Sequence, residues 1–197
     1  MKVIGITGGV GAGKSAILEY LKECTSCEII RADDVANEIK EKGTPVYERI
    51  VAVLGDGVLG ANGEIDREMM ALAIFGDKIK KQKVEAIIFP EVKREILARI
   101  SKARANGNID YVFIEAALLI EEGYRAICSE IWYVYASVAT RTKRLHENRG
   151  YTFEKIESII DTQLKEKEFR ENSDREINNN EGFEVAKACI DSFIGKE

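Results

Sequence analysis

Gly8-Gly9-Val10-Gly11-Ala12-Gly13-Lys14-Ser15 follows the pattern G-x-x-x-x-G-K-[ST], and each position in it has a physical task. Glycines let the backbone curl until successive N–H groups converge, which is how a loop cradles phosphate oxygens. A helix opening at Lys14 aims the positive end of its dipole at the same anion. The Lys14 ammonium reaches β- and γ-phosphates as a point charge, and the Ser15 hydroxyl is a direct ligand for Mg²⁺ bridging them. The pattern therefore predicts a bound nucleoside triphosphate, expected here to be ATP once the guanine-reading alternative below is set aside, touched by Gly9, Val10, Gly11, Ala12, Gly13, Lys14, Ser15 and Ala16. The bland alternative is a glycine-rich turn with a chance lysine. A strand pattern before the loop and a helix pattern after it argue against that.

A phosphate loop predicts a nucleotide but not its fate. Transfer to an acceptor needs a group that orients and deprotonates a hydroxyl. Asp33 follows the second strand pattern, at the sheet edge where ligands gather in open α/β folds. It is a candidate base; helix capping by Asp33, or by Asp34 beside it, is the competing use. Glu115 ends the apolar run Ile109 to Ile114, where an acid can hold Mg²⁺ through water or orient the acceptor; a solvated strand end is the alternative. Glu121 follows Leu118-Leu119-Ile120 and serves either the acceptor or the surface. Arg141, Arg144 and Arg149 lie along and just past one helix pattern, with Gly150 as a hinge. Cations of a mobile lid stabilise a transferring phosphoryl group, and Arg144 and Arg149 are the candidates; a solvated helix face competes. His146 on the same helix reads as surface or lid packing.

Elements that would position these groups alternate along the chain. Lys2 to Thr7 reads as a buried strand, Ser15 to Glu23 as a helix and Glu28 to Ile30 as a second strand. Helix patterns cover Asp33 to Lys40 and Val46 to Leu54, with Gly43-Thr44-Pro45 between them and a glycine-rich loop from Gly55 to Ile65. Asp66 to Ala105 is helical almost throughout, with Pro90 expected to start or kink a helix. Strands are expected at Ile109 to Ile114, Glu130 to Ala136 and Arg175 to Asn178. Helices are expected at Val138 to Glu147, Phe153 to Asn172 (one long helix) and Glu184 to Phe193. Strands separated by helices imply an α/β/α three-layer fold around a mostly parallel sheet. The expected organisation is one domain, 1–197, with a core at 1–60 and 108–197, a helical acceptor-binding insertion at about 61–107 and a lid at about 141–165.

Bulk properties fit this reading. The chain has 197 residues, 45% of them hydrophobic, enough to build a core. Its net charge of −5 gives no general attraction to nucleic acid or anionic membrane, so neither is expected as a partner. No run approaches the ~20 apolar residues of a membrane helix, and the N-terminal apolar stretch is too short for a secretory signal. A cytoplasmic protein, monomeric or weakly self-associating, is expected. Cys24 and Cys27 form a C-x-x-C pair without the second close pair a zinc site wants, and read as reduced thiols at a helix end.

Several classes share such a loop. A guanine-reading switch would carry N-K-x-D, and an ATP-driven transporter subunit L-S-G-G-Q; neither tetrad nor pentad occurs. Small-molecule kinases, including those acting on nucleoside monophosphates, remain. Among them the sequence resembles the dephospho-CoA kinase family. The opening Ile4-Gly5-Ile6-Thr7 with the loop resembles that family's start, and Ala32-Asp33-Asp34-Val35-Ala36 places Asp33 on its catalytic aspartate. Lys42-Gly43-Thr44-Pro45 is similar to its P-G-x-P segment and Asn62 to Arg67 to its D-G-x-L-x-R turn. Ala117-Leu118-Leu119-Ile120-Glu121 resembles P-L-L-F-E, while Gln163 and Ile177-Asn178-Asn179 resemble the Q and V-I-D-N positions. The chain departs from the family at Arg31, Phe89, Ala117 and Asn148, where Asp, His, Pro and Arg are usual. The resemblance implies ATP-dependent phosphorylation of the ribose 3′-hydroxyl of dephospho-CoA, with Asp33 as base, Lys14 and Mg²⁺ on the phosphates and Arg144 or Arg149 closing over them. It also implies that Asn179 lies near the adenine of ATP and that Asp33, Glu115, Leu118 and Glu121 serve the acceptor.

Overall fold

Four short runs rich in β-branched or aromatic residues and one polar edge segment become the strands: β1 Lys2–Thr7, β2 Cys27–Arg31, β3 Tyr111–Glu115, β4 Glu130–Tyr135 and, polar, β5 Arg175–Asn178. The structure is a computed structural model and describes residues 1–196. The strands form one sheet in the order β2-β3-β1-β4-β5. β1 pairs in parallel with β3 and β4, and β4 with β5. Parallel neighbours need crossover helices, which explains the alternation read from the sequence. The resulting fold is the mostly parallel α/β class expected.

The helices are α1 Lys14–Cys24, α2 Ala32–Glu38, α3 Pro45–Leu54, α4 Arg67–Ile74, α5 Lys78–Asn106, α6 Val138–Arg149, α7 Phe153–Asp161, α8 Glu166–Glu171 and α9 Phe183–Ile194. The chain divides into two compact units, one of Met1–Ile30 with the chain from Ala103 onward, the other Arg31–Lys102. In the first unit Ile4 and Ile6 of β1, Leu18 and Leu21 of α1, Phe113, Trp132 and Ile190 of α9 form one buried cluster. In the second, Val46 and Ile50 of α3 pack with Ile87 of α5.

One expected helix needs correction, and one of the two uses expected of Pro90 falls away. The single helix expected from Phe153 to Asn172 is two, α7 and α8, separated at Thr162 to Lys165. The Thr162 hydroxyl donates back to the Ile159 carbonyl, a local bond that competes with helix continuation. The stretch from Asp66 to Ala105 is helical almost throughout, as expected, in two helices. Gly76, at φ 77°, separates them, and Asp66 and Asp77 accept the first N–H groups of α4 and α5. Of the two uses expected of Pro90, starting a helix is excluded: it lies inside α5, where the Ala86 carbonyl loses its usual intrahelical donor.

Candidate active site

The glycine-rich loop leaves the carboxyl end of β1, the central strand, and runs into α1. Gly8 has φ 145°, and a Cβ there would stand 2.5 Å from the Val134 carbonyl oxygen of β4, so no side chain fits. Gly13 is the N-cap of α1 in the left-handed region, φ 95°, against the amide of Asn179. Lys14 Nζ donates to the Gly8 carbonyl at 2.8 Å, folding the ammonium back across the loop. No side chain caps α1 and its first turn holds no acid, so its positive end is left uncancelled. Ser15 and Ala16 lie exposed on that turn.

Three side chains from distant sequence brace the loop. Asn179, buried at 4% exposure, donates from Nδ2 to the Ala12 carbonyl at 2.7 Å. Arg144 donates to the same carbonyl at 3.3 Å and to the Asn179 carbonyl at 2.8 Å. Gln163, in the break between α7 and α8, accepts at Oε1 from the Val10 N–H at 3.1 Å and from Arg141 Nη1 at 3.2 Å. Asn180 accepts from the Ser137 N–H at 3.0 Å and the Thr140 hydroxyl at 2.7 Å, which fixes the start of α6. Arg141 is half-buried, and desolvation holds its guanidinium pKa below the ordinary arginine value. Arg149, by contrast, is exposed at the end of α6. His146 stacks on Phe153 with ring centroids 4.7 Å apart.

Glu115 is the last residue of β3 and stands opposite Ile6 in the β1 register, one residue before Thr7. Leu118 is 42% exposed and Glu121 is exposed in the turns that follow, while Leu119 between them is buried. All four cysteines are free. Burial raises the thiol pKa of Cys24 and Cys27, and pushes Cys128 up to about 12, so the thiol form is favoured.

The dephospho-CoA kinase family model matches residues 2–184, which include the loop, Asp33, α6 and Asn179. Proteins named dephospho-CoA kinase from Dehalococcoides mccartyi and Symbiobacterium thermophilum are 33% and 31% identical, covering 100% and 98% of this chain and 98% and 80% of their own. The chain belongs to the dephospho-CoA kinase family. Among solved structures, TT1252 from Thermus thermophilus superposes with a TM-score of 0.83 at 24% identity, over 99% of this chain and 97% of that one. A shikimate kinase from Acinetobacter baumannii gives 0.59 at 14% identity, over 100% of this chain and 95% of that one. These two likenesses concern the fold.

The second unit of this dephospho-CoA kinase family member carries Asp33 and Asp34. Both lie in the first turn of α2, which Arg31 precedes as N-cap without a side-chain capping bond. The capping alternative is therefore not the use the structure makes of either acid; both are exposed. Lys40 and Arg67 line a cavity of about 440 Å³ in the same unit. Burial first, and then the Arg67 charge, depress the Lys40 pKa, while the Asp33 charge opposes both. Sequence reasoning did not assign Arg141, Lys40 or Arg67. Arg141 carried one signal, its i, i+3 spacing to Arg144, and Arg67 another, as the last residue of the segment likened to the D-G-x-L-x-R turn; Lys40 carried none, because lone cations on polar helices are normally solvated.

Proposed function

We infer that the protein transfers the γ-phosphoryl group of ATP to the ribose 3′-hydroxyl of dephospho-CoA, releasing ADP and CoA, the last step of coenzyme A synthesis. The observation that carries this reading is the family match over residues 2–184, within which the phosphate loop and Asp33 are intact. ATP phosphates are held by the N–H groups of Gly9 to Ala16 and by Lys14, with Asn179 at the adenine end. Asp33 takes the proton of the acceptor hydroxyl as its oxygen attacks phosphorus and the bond to the β-phosphate breaks. Glu115, Leu118 and Glu121 serve the acceptor, as does the helical segment 61–107, and Arg144 and Arg149 belong to the lid at 141–165. Magnesium, when bound, neutralises the phosphate oxygens. The hydroxyl of Ser15 and the carboxylate of Glu115, through water, are hard oxygen donors suited to it.

No cluster of three or more His, Cys, Asp or Glu side chains is poised for a metal among the described residues. Among the described residues no helix is long and apolar enough to cross a membrane. We place the enzyme in the cytoplasm as a monomer or weak homo-oligomer, with nucleic acid and membrane outside its partners. The test is phosphoryl transfer from Mg·ATP, read as ADP release, to dephospho-CoA against adenosine and a panel of nucleoside monophosphates. Turnover confined to dephospho-CoA is expected. Turnover on another acceptor, or on none, overturns the reading.

A further inference from the structure

Arg144, the expected phosphate-facing cation, gives one donor from each terminal nitrogen to the carbonyls of Ala12 and Asn179. Those bonds brace the loop from its helix side. Arg141, three residues earlier on α6, is placed differently. Its guanidinium lies against the loop so closely that a Cβ built on Gly9 would collide with Nη1. One donor of that nitrogen goes to Gln163 Oε1, and the same oxygen accepts the Val10 N–H. A single carboxamide thus ties the arginine to the outer turn of the phosphate loop.

Arg141 also borders a cavity of about 500 Å³ whose walls include Tyr133, Ile156, Ile160, Leu164 and Phe169. The same cavity is also lined by Glu157, Asp161 and Glu166, yet the guanidinium is half-buried and desolvation is the largest influence on its titration. A charge kept partly dry beside an anion-binding loop interacts more strongly with the anion than a solvated one would. No Asp or Glu forms an ion pair with Arg141 among the described residues; Glu166 acts on it only at longer range. A planar guanidinium retains further donors after the bond to Gln163, enough for a bidentate approach to phosphate oxygens.

We propose that Arg141 is the catalytic guanidinium that meets the transferring phosphoryl group, and that Gln163 is the residue that positions it. The inference rests on the phosphotransferase reading above. As the acceptor oxygen bonds to phosphorus and the β–γ bridging oxygen leaves with its electron pair, negative charge spreads over the γ-phosphoryl oxygens and the leaving oxygen. Arg141 neutralises that charge without exchanging a proton. Gln163 touches no reacting atom; it holds the arginine at Gly9 and the Val10 amide in one frame.

The experiment compares Arg141→Ala, Arg141→Lys, Gln163→Ala and the double Ala variant with the parent protein. Two readouts are used: kcat and KM for transfer from Mg·ATP to dephospho-CoA, and binding of ADP alone against ADP with aluminium fluoride, which mimics the transferring group. Arg141→Ala should lower kcat by about 10³-fold, the lower range for an arginine acting on transferred phosphoryl. Its ADP affinity should stay within about threefold, while the extra affinity for the fluoride complex disappears. Arg141→Lys keeps the charge without the fork and should recover part of kcat. Gln163→Ala should lower kcat by about tenfold, and should add nothing once Arg141 is already Ala. A kcat for Arg141→Ala within threefold of the parent overturns the catalytic assignment. An additive effect of Gln163→Ala, or an equal loss of ADP and fluoride-complex binding, reduces Gln163 to a structural brace and overturns its positioning role. If the parent transfers nothing to dephospho-CoA, the proposed function fails, yet the fluoride-complex measurement still decides Arg141 by itself.

Discussion

At the residue scale the site separates into groups that spacing reveals and groups that only folding reveals. The loop is legible because its eight residues are contiguous and each does local work. Asn179 was legible only through resemblance, since its partner Ala12 lies 167 positions away. No local pattern encodes a bond of that range. Loss of the Asn179 side chain leaves the Ala12 carbonyl with Arg144 alone, at a weaker 3.3 Å. Asn179→Ala is therefore expected to lower ATP affinity by about tenfold, the worth of one buried hydrogen bond. Equilibrium binding of a non-hydrolysable ATP analogue measures it, and unchanged affinity would show that Arg144 holds the loop without help. Asp33 makes the contrasting demand. If it is the base, Asp33→Asn keeps size and polarity but removes the proton acceptor. Its kcat should fall by about 10²–10⁴-fold while ATP affinity moves less than twofold. A fully active Asp33→Asn enzyme removes Asp33 from the chemistry.

At the element scale the sequence placed every strand within a residue or two; β1, β3 and β4 are legible because buried parallel strands read as continuous apolar runs, a reason that does not extend to the polar edge strand β5. It failed where helices stop. Thr162, Gln163, Leu164 and Lys165 contain neither glycine nor proline, so nothing in their composition announces the break. The break nonetheless releases Gln163 from a helical face and sends its amide to the loop. Edge strand β5 is fixed by a different device. Asp174, just before it, accepts the Ile131 N–H of β4 at 2.7 Å, donates its own N–H to the Ile131 carbonyl at 2.8 Å and pairs with Arg125. The Arg125 hydrogen bond, more than any other influence, holds the Asp174 pKa below the ordinary carboxylate value. A depressed folded-state pKa contributes stability that is present above the unfolded pKa, about 3.9, and is lost as pH falls through the folded one. Asp174→Asn keeps an acceptor for Ile131 but discards the charge. It should destabilise the protein by about 1 kcal/mol at pH 7, the upper range for a partly exposed ion pair. The deficit should shrink towards zero in the acid range below pH 4. Urea midpoints of parent and variant across pH test this, and a deficit independent of pH would assign the effect to geometry and not to charge.

At the scale of the whole molecule, the phosphate loop hangs from a central strand whose neighbours arrive from residues 111–115 and 130–135. Stability of the sheet and occupancy of the loop are therefore linked, because a ligand that binds only the folded state adds RT ln(1 + [L]/Kd) to its stability. At a hundredfold excess over Kd that is about 2.7 kcal/mol, which for a chain of this length raises Tm by about 5–10 °C. Two variants separate the link from the packing beneath it. Lys14→Ala leaves the buried cluster intact and removes the charge that meets the phosphates, so its Tm without ligand should match the parent and its rise with Mg·ATP analogue should vanish. Ile190→Val trims one methylene from α9, at a position with 0% exposure remote in sequence from the loop. It should cost about 0.5–1.5 kcal/mol and lower Tm by a few degrees, yet keep the full ligand-induced rise. The pair is read by scanning calorimetry with and without the analogue. A ligand response surviving in Lys14→Ala would mean that the phosphates are held chiefly by the backbone amides and the helix end, with the ammonium reserved for the moment of transfer.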